Sequence, residues 1–357
     1  QRQMCIRDRH SREAFGHCNR SGSGDANDGT RHLPAPRSAN SSPLSTNHAP
    51  VVRGLRHTRY DRRTGLHTCP RHGRVTTTNP PTPPRNKVVT FLDAIRFEHT
   101  IFALPFAYIG MILAADGPPS LWQFFWITIA MASARTFAMS ANRLIDRQID
   151  ARNPRTAGRA LPKGLLSVRE MMFAAVASAI TLTVAAWSLN ETCLTLMPGA
   201  VVVLTLYSYT KRFTWACHFV LGLAIGLAPV GAWVGVRGTV DFIPLTLFLA
   251  VVFWLAGFDI IYATQDIEVD RREGLYSVPA RFGIATGLQI ARASHAVTVA
   301  FLVALGLVAR LGLPYYVGVA GAAGLLIYEH SLVSPEDLSK VNVAFLNVNG
   351  YLAVSML

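Results

Sequence analysis

Residues 142–162 read NRLIDRQIDARNPRTAGRALP. Asn142, Asp146 and Asp150 are spaced i, i+4, i+8. On an α-helix that spacing drifts by only about 40° per step, so the three side-chain oxygens line one face. Oxygen ligands gathered on one face suit a hard divalent cation, and Mg²⁺ is the usual choice where phosphates complete the shell. Arg152, Arg155 and Arg159 follow and offer planar forks matched to phosphate or carboxylate. The stretch directly follows the apolar run 121–141. Carboxylates at the end of a membrane span are costly to place there, which points to function.

The same device recurs at residues 258–274, FDIIYATQDIEVDRREG. It carries Asp259, Asp266 and Asp270, with Tyr262, Asp266 and Asp270 again at i, i+4, i+8. This run also ends an apolar segment, 242–261. A solvated helix end with ion pairs to nearby arginines accounts for one such motif alone. Two of them, in the same setting, predict two acidic helix ends that face one cavity and hold two cations on one diphosphate.

Composition sets the class. Half of the 357 residues are hydrophobic and only 15% are charged, and the mean hydropathy is +0.28. The apolar residues fall in blocks of about 20, the length that crosses a hydrocarbon core of about 30 Å. The five cysteines (Cys5, Cys18, Cys69, Cys193, Cys217) form no C-x-x-C pair, so neither a disulfide framework nor a zinc site is indicated. No G-x-x-x-x-G-K-[ST] loop is present, and no G-x-G-x-x-G follows a strand pattern.

The net charge of +13 is unevenly placed. Residues 1–85 hold 15 Arg and 5 acidic residues, a net of +10; the remainder holds 19 basic and 16 acidic residues, a net of +3. Residues 1–86 are rich in Arg, Ser and Pro and poor in aliphatic residues, so disorder is expected there. Such a composition is compatible with an organelle transit peptide or with upstream sequence foreign to the natural protein; the second reading is preferred. Aromatic residues that would stack on bases are scarce among the arginines, and no nucleic-acid partner is expected.

The body, 87–357, is expected to be all-α and polytopic. About nine spans are predicted, near 98–115, 120–141, 169–189, 193–209, 215–236, 242–262, 286–309, 313–330 and 341–357. The loop between the second and third spans holds Arg143, Arg147, Arg152, Arg155, Arg159, Lys163 and Arg169. Lys211 and Arg212 follow the fourth span, and Arg271, Arg272 and Arg281 follow the sixth. The odd-numbered loops carry at most one basic residue. By the positive-inside rule the basic loops, and with them both acidic motifs, face the cytoplasm. A bacterial inner membrane is the expected setting.

The NxxxDxxxD pattern at Asn142, Asp146 and Asp150, the RTxxR at 155–159 and the DxxxD at Asp266 and Asp270 resemble a known family. It is the UbiA-type intramembrane aromatic prenyltransferases, typified by 4-hydroxybenzoate polyprenyltransferase, and the resemblance covers roughly residues 88–357. The family usually reads RTxxRPL, whereas here Ala160 replaces the proline. With YATQD at 262–266 and GLYSVPARFG at 274–283, this is closer to the branch serving the futalosine-type menaquinone route. The resemblance implies nine helices around a central cavity open sideways to lipid, and dependence on Mg²⁺. It also implies transfer of a polyprenyl group from an isoprenyl diphosphate to an aromatic acid, in ubiquinone or menaquinone synthesis. The physics agrees: a site at the membrane boundary can hold both an anionic head and an apolar tail. Cations neutralise the leaving diphosphate, and the allylic carbocation needs shelter from water.

Within that frame Asn142, Asp146 and Asp150 are expected to bind the first Mg²⁺–diphosphate, and Asp266 and Asp270 the second. Tyr262 would orient the diphosphate or stabilise the cation through its ring. Asp259, a turn deeper, is a second-sphere partner or the proton acceptor. Arg155 and Arg159 would clamp the diphosphate or the acceptor's carboxylate; Lys211 and Arg212 would contact the diphosphate or anchor the interface. Arg96 would meet the aromatic carboxylate or snorkel to the interface. Two other readings compete. One is a prenyltransferase for another acceptor such as haem, which would favour cavity histidines; only His218 and His295 lie in the central spans. The other is a membrane transporter, disfavoured because the acids sit at span ends among arginines.

Overall fold

A computed structural model describes residues 86–96 and 104–355. The segment 1–85, for which disorder is expected, lies outside the described residues, as do 97–103 and the last two positions. In chain order the helices are α1 Lys87–Ala94, α2 Leu104–Ala115, α3 Leu121–Arg152, α4 Val168–Leu189, α5 Glu191–Thr210 and α6 Cys217–Arg237. There follow α7 Phe242–Ala263, α8 Ile267–Arg272, α9 Val278–Phe282, α10 Ile284–Val308, α11 Leu313–Ser331, α12 Val341–Val343 and α13 Asn349–Ser355. No strand occurs among the described residues.

Local chemistry starts these helices. Ser120 and Ser167 each close a capping box, with Gln123 and Glu170 respectively, and Asn190 caps α5 through Cys193 N–H. Gly238, at φ 71°, ends α6 in the left-handed conformation that glycine adopts without strain. Six stretches are long and apolar enough to cross a bilayer: α3, α4, α5, α6, α10 and the continuous run Phe242–Arg272. Helix α3 has 32 residues, about 48 Å at 1.5 Å per residue, against a hydrocarbon core of about 30 Å. Its C-terminal third, which carries Asn142, Asp146 and Asp150, therefore extends beyond the apolar run.

Helix α7 is the buried centre. Val251, Ala256, Ile260 and Ile261 are inaccessible to solvent, and α6 and α10 pack along its two sides. Gly222 lets α6 approach closely: a Cβ there would collide with the backbone carbonyl of Val252 on α7. Helix α2 packs on α6, and α3 packs on α4. The outer faces remain apolar, with Phe173, Trp187 and Ile327 more than 70% exposed. Such surfaces are stable only against lipid, and the chain is an integral multi-pass membrane protein.

Seven of the predicted spans fall on described helices. Two expectations need correction. The second acidic motif is not one uninterrupted α-helix. A 3₁₀ turn, Thr264–Asp266, separates α7 from α8, and Thr264 Oγ1 donates to the Ile261 carbonyl at 2.7 Å. A threonine hydroxyl on the i−3 carbonyl competes with the helical ladder and tightens the turn. The ninth span, 341–357, is likewise broken: a π turn, Ala344–Val348, lies between α12 and α13. A buried side chain, Asn349, sets that break, as described below. For the first span only the part from Leu104 onward is described.

Candidate active site

The two acidic helix ends meet at one end of the bundle. The Arg272 guanidinium donates to the Arg152 carbonyl at 3.1 Å, and Arg152 pairs with Glu273 at 3.0 Å. Lys211 and Arg212 in the loop after α5 join the motifs. Lys211 Nζ lies 2.8 Å from Asp270 of the second motif, while Arg212 donates to Asp146 of the first at 2.9 Å.

Each carboxylate has a basic partner. Arg155 forks onto Asp266, with Nε 2.9 Å from Oδ1 and Nη2 on Oδ2, and its Nη1 donates to the Tyr262 hydroxyl at 2.9 Å. Asn153 adds a third donor to Asp266 at 3.0 Å. Arg159 Nη1 holds both oxygens of Asp150, at 2.6 and 2.7 Å. Asp270 is almost fully buried and also accepts from Ser277 at 2.9 Å. Asn142 donates to Asp146 at 2.8 Å and to Ser208 at 3.3 Å, and its Oδ1 accepts from Arg143 at 3.1 Å. Burial works against the Lys211 and Arg155 cations, but Asp270 and Asp266 more than compensate and hold both above their ordinary pKa.

A cavity of about 570 Å³ lies between α3, α4, α5 and α6. Ile127, Met131, Met139, Leu196, Val203 and Tyr207 contribute to its wall, which is apolar apart from a few groups. Met139 and Tyr207 of its wall are followed by Asn142, one turn on, and Ser208, the next residue, which bond to each other at 3.3 Å. Among the described residues Arg135 is the one charged residue lining the cavity. Its Nη2 donates to the Arg96 carbonyl at 3.2 Å, whereas its Nε is buried with no partner. Arg96 itself is exposed, at a positive φ of 52°. Asp259 stands apart from the ion pairs and is bound by His218 Nδ1 at 2.6 Å. Val278 N–H donates to His218 Nε2 at 3.2 Å, so the imidazole carries its proton on Nδ1, facing Asp259.

The predicted residues Asn142, Asp146, Asp150, Arg155, Arg159, Lys211, Arg212, Tyr262, Asp266 and Asp270 thus form one connected cluster; Asp259 and Arg96 lie outside it. Arg135, Asn153 and Ser277 were not singled out from sequence, and His218 was noted only as a histidine of the central spans, not as the partner of Asp259. Arg135 did carry a signal, as the lone charge in the run 121–141. The other three are identifiable only through contacts between distant segments. Among the described residues no group of three or more His, Cys, Asp or Glu gathers as a complete metal cage. Mg²⁺ requires less, since one or two carboxylates with substrate phosphates and water suffice. The hard-oxygen set of Asn142, Asp146, Asp150, Asp266 and Asp270 fits that ion.

Residues 103–351 match the UbiA prenyltransferase family. The 4-hydroxybenzoate octaprenyltransferase of Vibrio cholerae serotype O1 is 31% identical over 252 residues, which cover 69% of this chain and 86% of that protein. Among solved structures, the apo structure of a UbiA homolog from Aeropyrum pernix K1 superposes with a TM-score of 0.67 at 32% identity, over 72% of this chain and 95% of that one. A UbiA homolog from Archaeoglobus fulgidus bound to GPP and Mg²⁺ shares the fold, with a TM-score of 0.56 at 23% identity, over 75% of this chain and 99% of that one.

Proposed function

Because the chain belongs to the UbiA prenyltransferase family, we propose that it transfers a polyprenyl group from an isoprenyl diphosphate to an aromatic acid. The acceptor is 4-hydroxybenzoate or a hydroxynaphthoate, and the product enters ubiquinone or menaquinone synthesis. One observation carries this reading: four carboxylate–cation pairs draw two distant motifs into one cluster, and α3 and α5, which lead into that cluster, also line an apolar chamber with a single guanidinium among the described residues. The relatives support the classes of substrate and metal, by the names they bear: an octaprenyltransferase for 4-hydroxybenzoate, and a homologue with GPP and Mg²⁺.

Asn142, Asp146 and Asp150 would hold one Mg²⁺, and Asp266 and Asp270 a second. When bound, the metal neutralises the charge that grows on the departing diphosphate. The paired cations then exchange partners. Arg155, Arg159, Lys211 and Arg212 release their carboxylates and turn to the phosphate oxygens, a change between equally strong charge-assisted bonds. Tyr262, tied to Arg155, presents its ring where the allylic carbon becomes cationic. The prenyl tail occupies the apolar chamber. Arg135 takes the acceptor's carboxylate, which supplies the partner its Nε lacks. Asp259 receives the proton lost from the ring after carbon–carbon bond formation, held in place by His218. The acidic cluster faces the cytoplasm of a bacterial inner membrane, where soluble acids and Mg²⁺ are available.

The test is a panel of benzoates and naphthoates offered to membranes containing the full chain, with a labelled polyprenyl diphosphate. Covalent product from one acceptor class, lost with EDTA and restored by Mg²⁺, is expected. Uptake of the ligands without covalent product, or full turnover in EDTA, refutes the proposal.

A further inference from the structure

The broken C-terminal span has a side-chain cause and a consequence at the acidic cluster. π turns are frequent at functional sites. Here the π turn Ala344–Val348 leads into Asn349, which is fully buried. Asn349 Oδ1 accepts from Trp254 Nε1 at 2.8 Å; its Nδ2 donates to Glu329 Oε1 at 2.8 Å and to the Ala344 carbonyl at 3.1 Å. Glu329 is inaccessible to solvent. On the other side of Trp254, its carbonyl accepts from His295 Nε2 at 3.2 Å, and His330 Nε2 donates to His295 Nδ1 at 2.9 Å. This polar knot ties α7, α10, α11 and the C-terminal segment together. Buried polar groups in an apolar surrounding keep such partners because losing them is costly.

The knot fixes Phe345, one turn before Asn349. The Phe345 ring stacks on Tyr262, with centroids 4.2 Å apart and planes 28° from parallel. It also meets Phe258 edge-on at 5.4 Å. Tyr262 in turn accepts from Arg155, whose Cζ lies 5.0 Å from the Tyr262 ring centroid, and Arg155 forks onto Asp266. One aromatic ring from the C-terminal segment therefore backs the tyrosine that touches the ion-pair cluster.

We propose that Phe345 is a positioning residue for prenyl transfer: pinned by the Asn349–Glu329–Trp254 knot, it holds Tyr262 over the reacting carbon and keeps water from it. The inference rests on the prenyl-transfer reading. When the allylic C–O bond breaks, its electron pair leaves with the diphosphate. The cation then has two possible partners. The aromatic ring supplies electrons, a C–C bond forms and the ring loses a proton. Alternatively water attacks, a C–O bond forms, a proton is lost and a free prenyl alcohol results. The ratio of prenyl alcohol to prenylated acid, after subtraction of the alcohol formed in membranes lacking the chain, therefore measures the shielding and is independent of how much folded enzyme is present.

The experiment measures that ratio in membranes containing the full chain, for wild type, Phe345→Ala, Phe345→Leu and Phe345→Tyr. Loss of one stacked aromatic pair corresponds to about a twofold to tenfold rise in the alcohol share, expected for Phe345→Ala and for Phe345→Leu, which preserves bulk. Phe345→Tyr retains a ring and the wild-type ratio. Asn349→Leu, which unties the knot, shifts the ratio as Phe345→Ala does. A wild-type ratio in Phe345→Leu overturns the inference even if Phe345→Ala fails to fold. If the wild-type chain prenylates no acceptor, the underlying reading falls instead; if it does and the ratio never moves, only the role of Phe345 falls.

Discussion

Replacing Arg135 with leucine separates binding from stability, which most site substitutions confound. The guanidinium lines an otherwise apolar chamber, keeps one bond to the Arg96 carbonyl, and buries an Nε without a partner. Its proposed contact with a carboxylate is a charge-assisted hydrogen bond worth about 1.5–3 kcal/mol. At about 1.4 kcal/mol per factor of ten, KM for the aromatic acid should rise roughly tenfold to 150-fold in Arg135→Leu. The KM for the diphosphate should not change, and kcat should change little, because the bond is present in ground and transition states alike. Stability should move the other way. A guanidinium with a buried, unpartnered Nε costs desolvation energy, and an apolar residue of similar volume removes that cost. The ligand-free Leu variant should therefore melt at the same temperature as wild type or higher. The assay is steady-state kinetics in membranes with each substrate varied, beside thermal unfolding in detergent. An unchanged acid KM, or an equal rise for the diphosphate, refutes the assignment. A Tm several degrees lower would make Arg135 a structural brace on Arg96.

Asp146→Ala and Asp266→Ala should each lower turnover by about a hundredfold or more, because each removes a proposed ligand of the cation that stabilises the leaving group, while the protein still inserts and extracts folded; near-normal rates in either would sink the metal assignment. Gly222→Ala should destabilise the bundle by about 1–3 kcal/mol, the usual cost of overpacking, since the new Cβ meets the Val252 carbonyl rather than a movable side chain. A wild-type melting temperature for that variant would mean that α6 and α7 can separate freely.

How far the sequence led depended on the range of the interaction. The spans were legible because bilayer thickness imposes a block length on the chain itself. The acidic motifs were legible because helical periodicity turns an i, i+4, i+8 spacing into one face. Asn142, Asp146 and Asp150 lie on one continuous helix, as the spacing requires. For Tyr262, Asp266 and Asp270 the same rule failed locally, because Thr264 tightened the backbone into a 3₁₀ turn. Even so, Tyr262 and Asp266 still share Arg155. For the acceptor's carboxylate the sequence offered Arg155, Arg159 and Arg96, the last equally readable as an interfacial residue. The structure adds Arg135, which lines the chamber and donates to the Arg96 carbonyl.

Taken alone, then, the order of residues determined an all-helical membrane protein with two acidic helix ends and the basic residues beside them. Those properties follow from composition, block length and spacing within single segments. Which cation meets which carboxylate, that His218 holds Asp259, and that Phe345 lies on Tyr262 were decided only in three dimensions. Apart from Arg159 with Asp150, nine positions away, each joins residues tens to more than a hundred positions apart, and such pairings are set by how helices pack, which no local periodicity encodes.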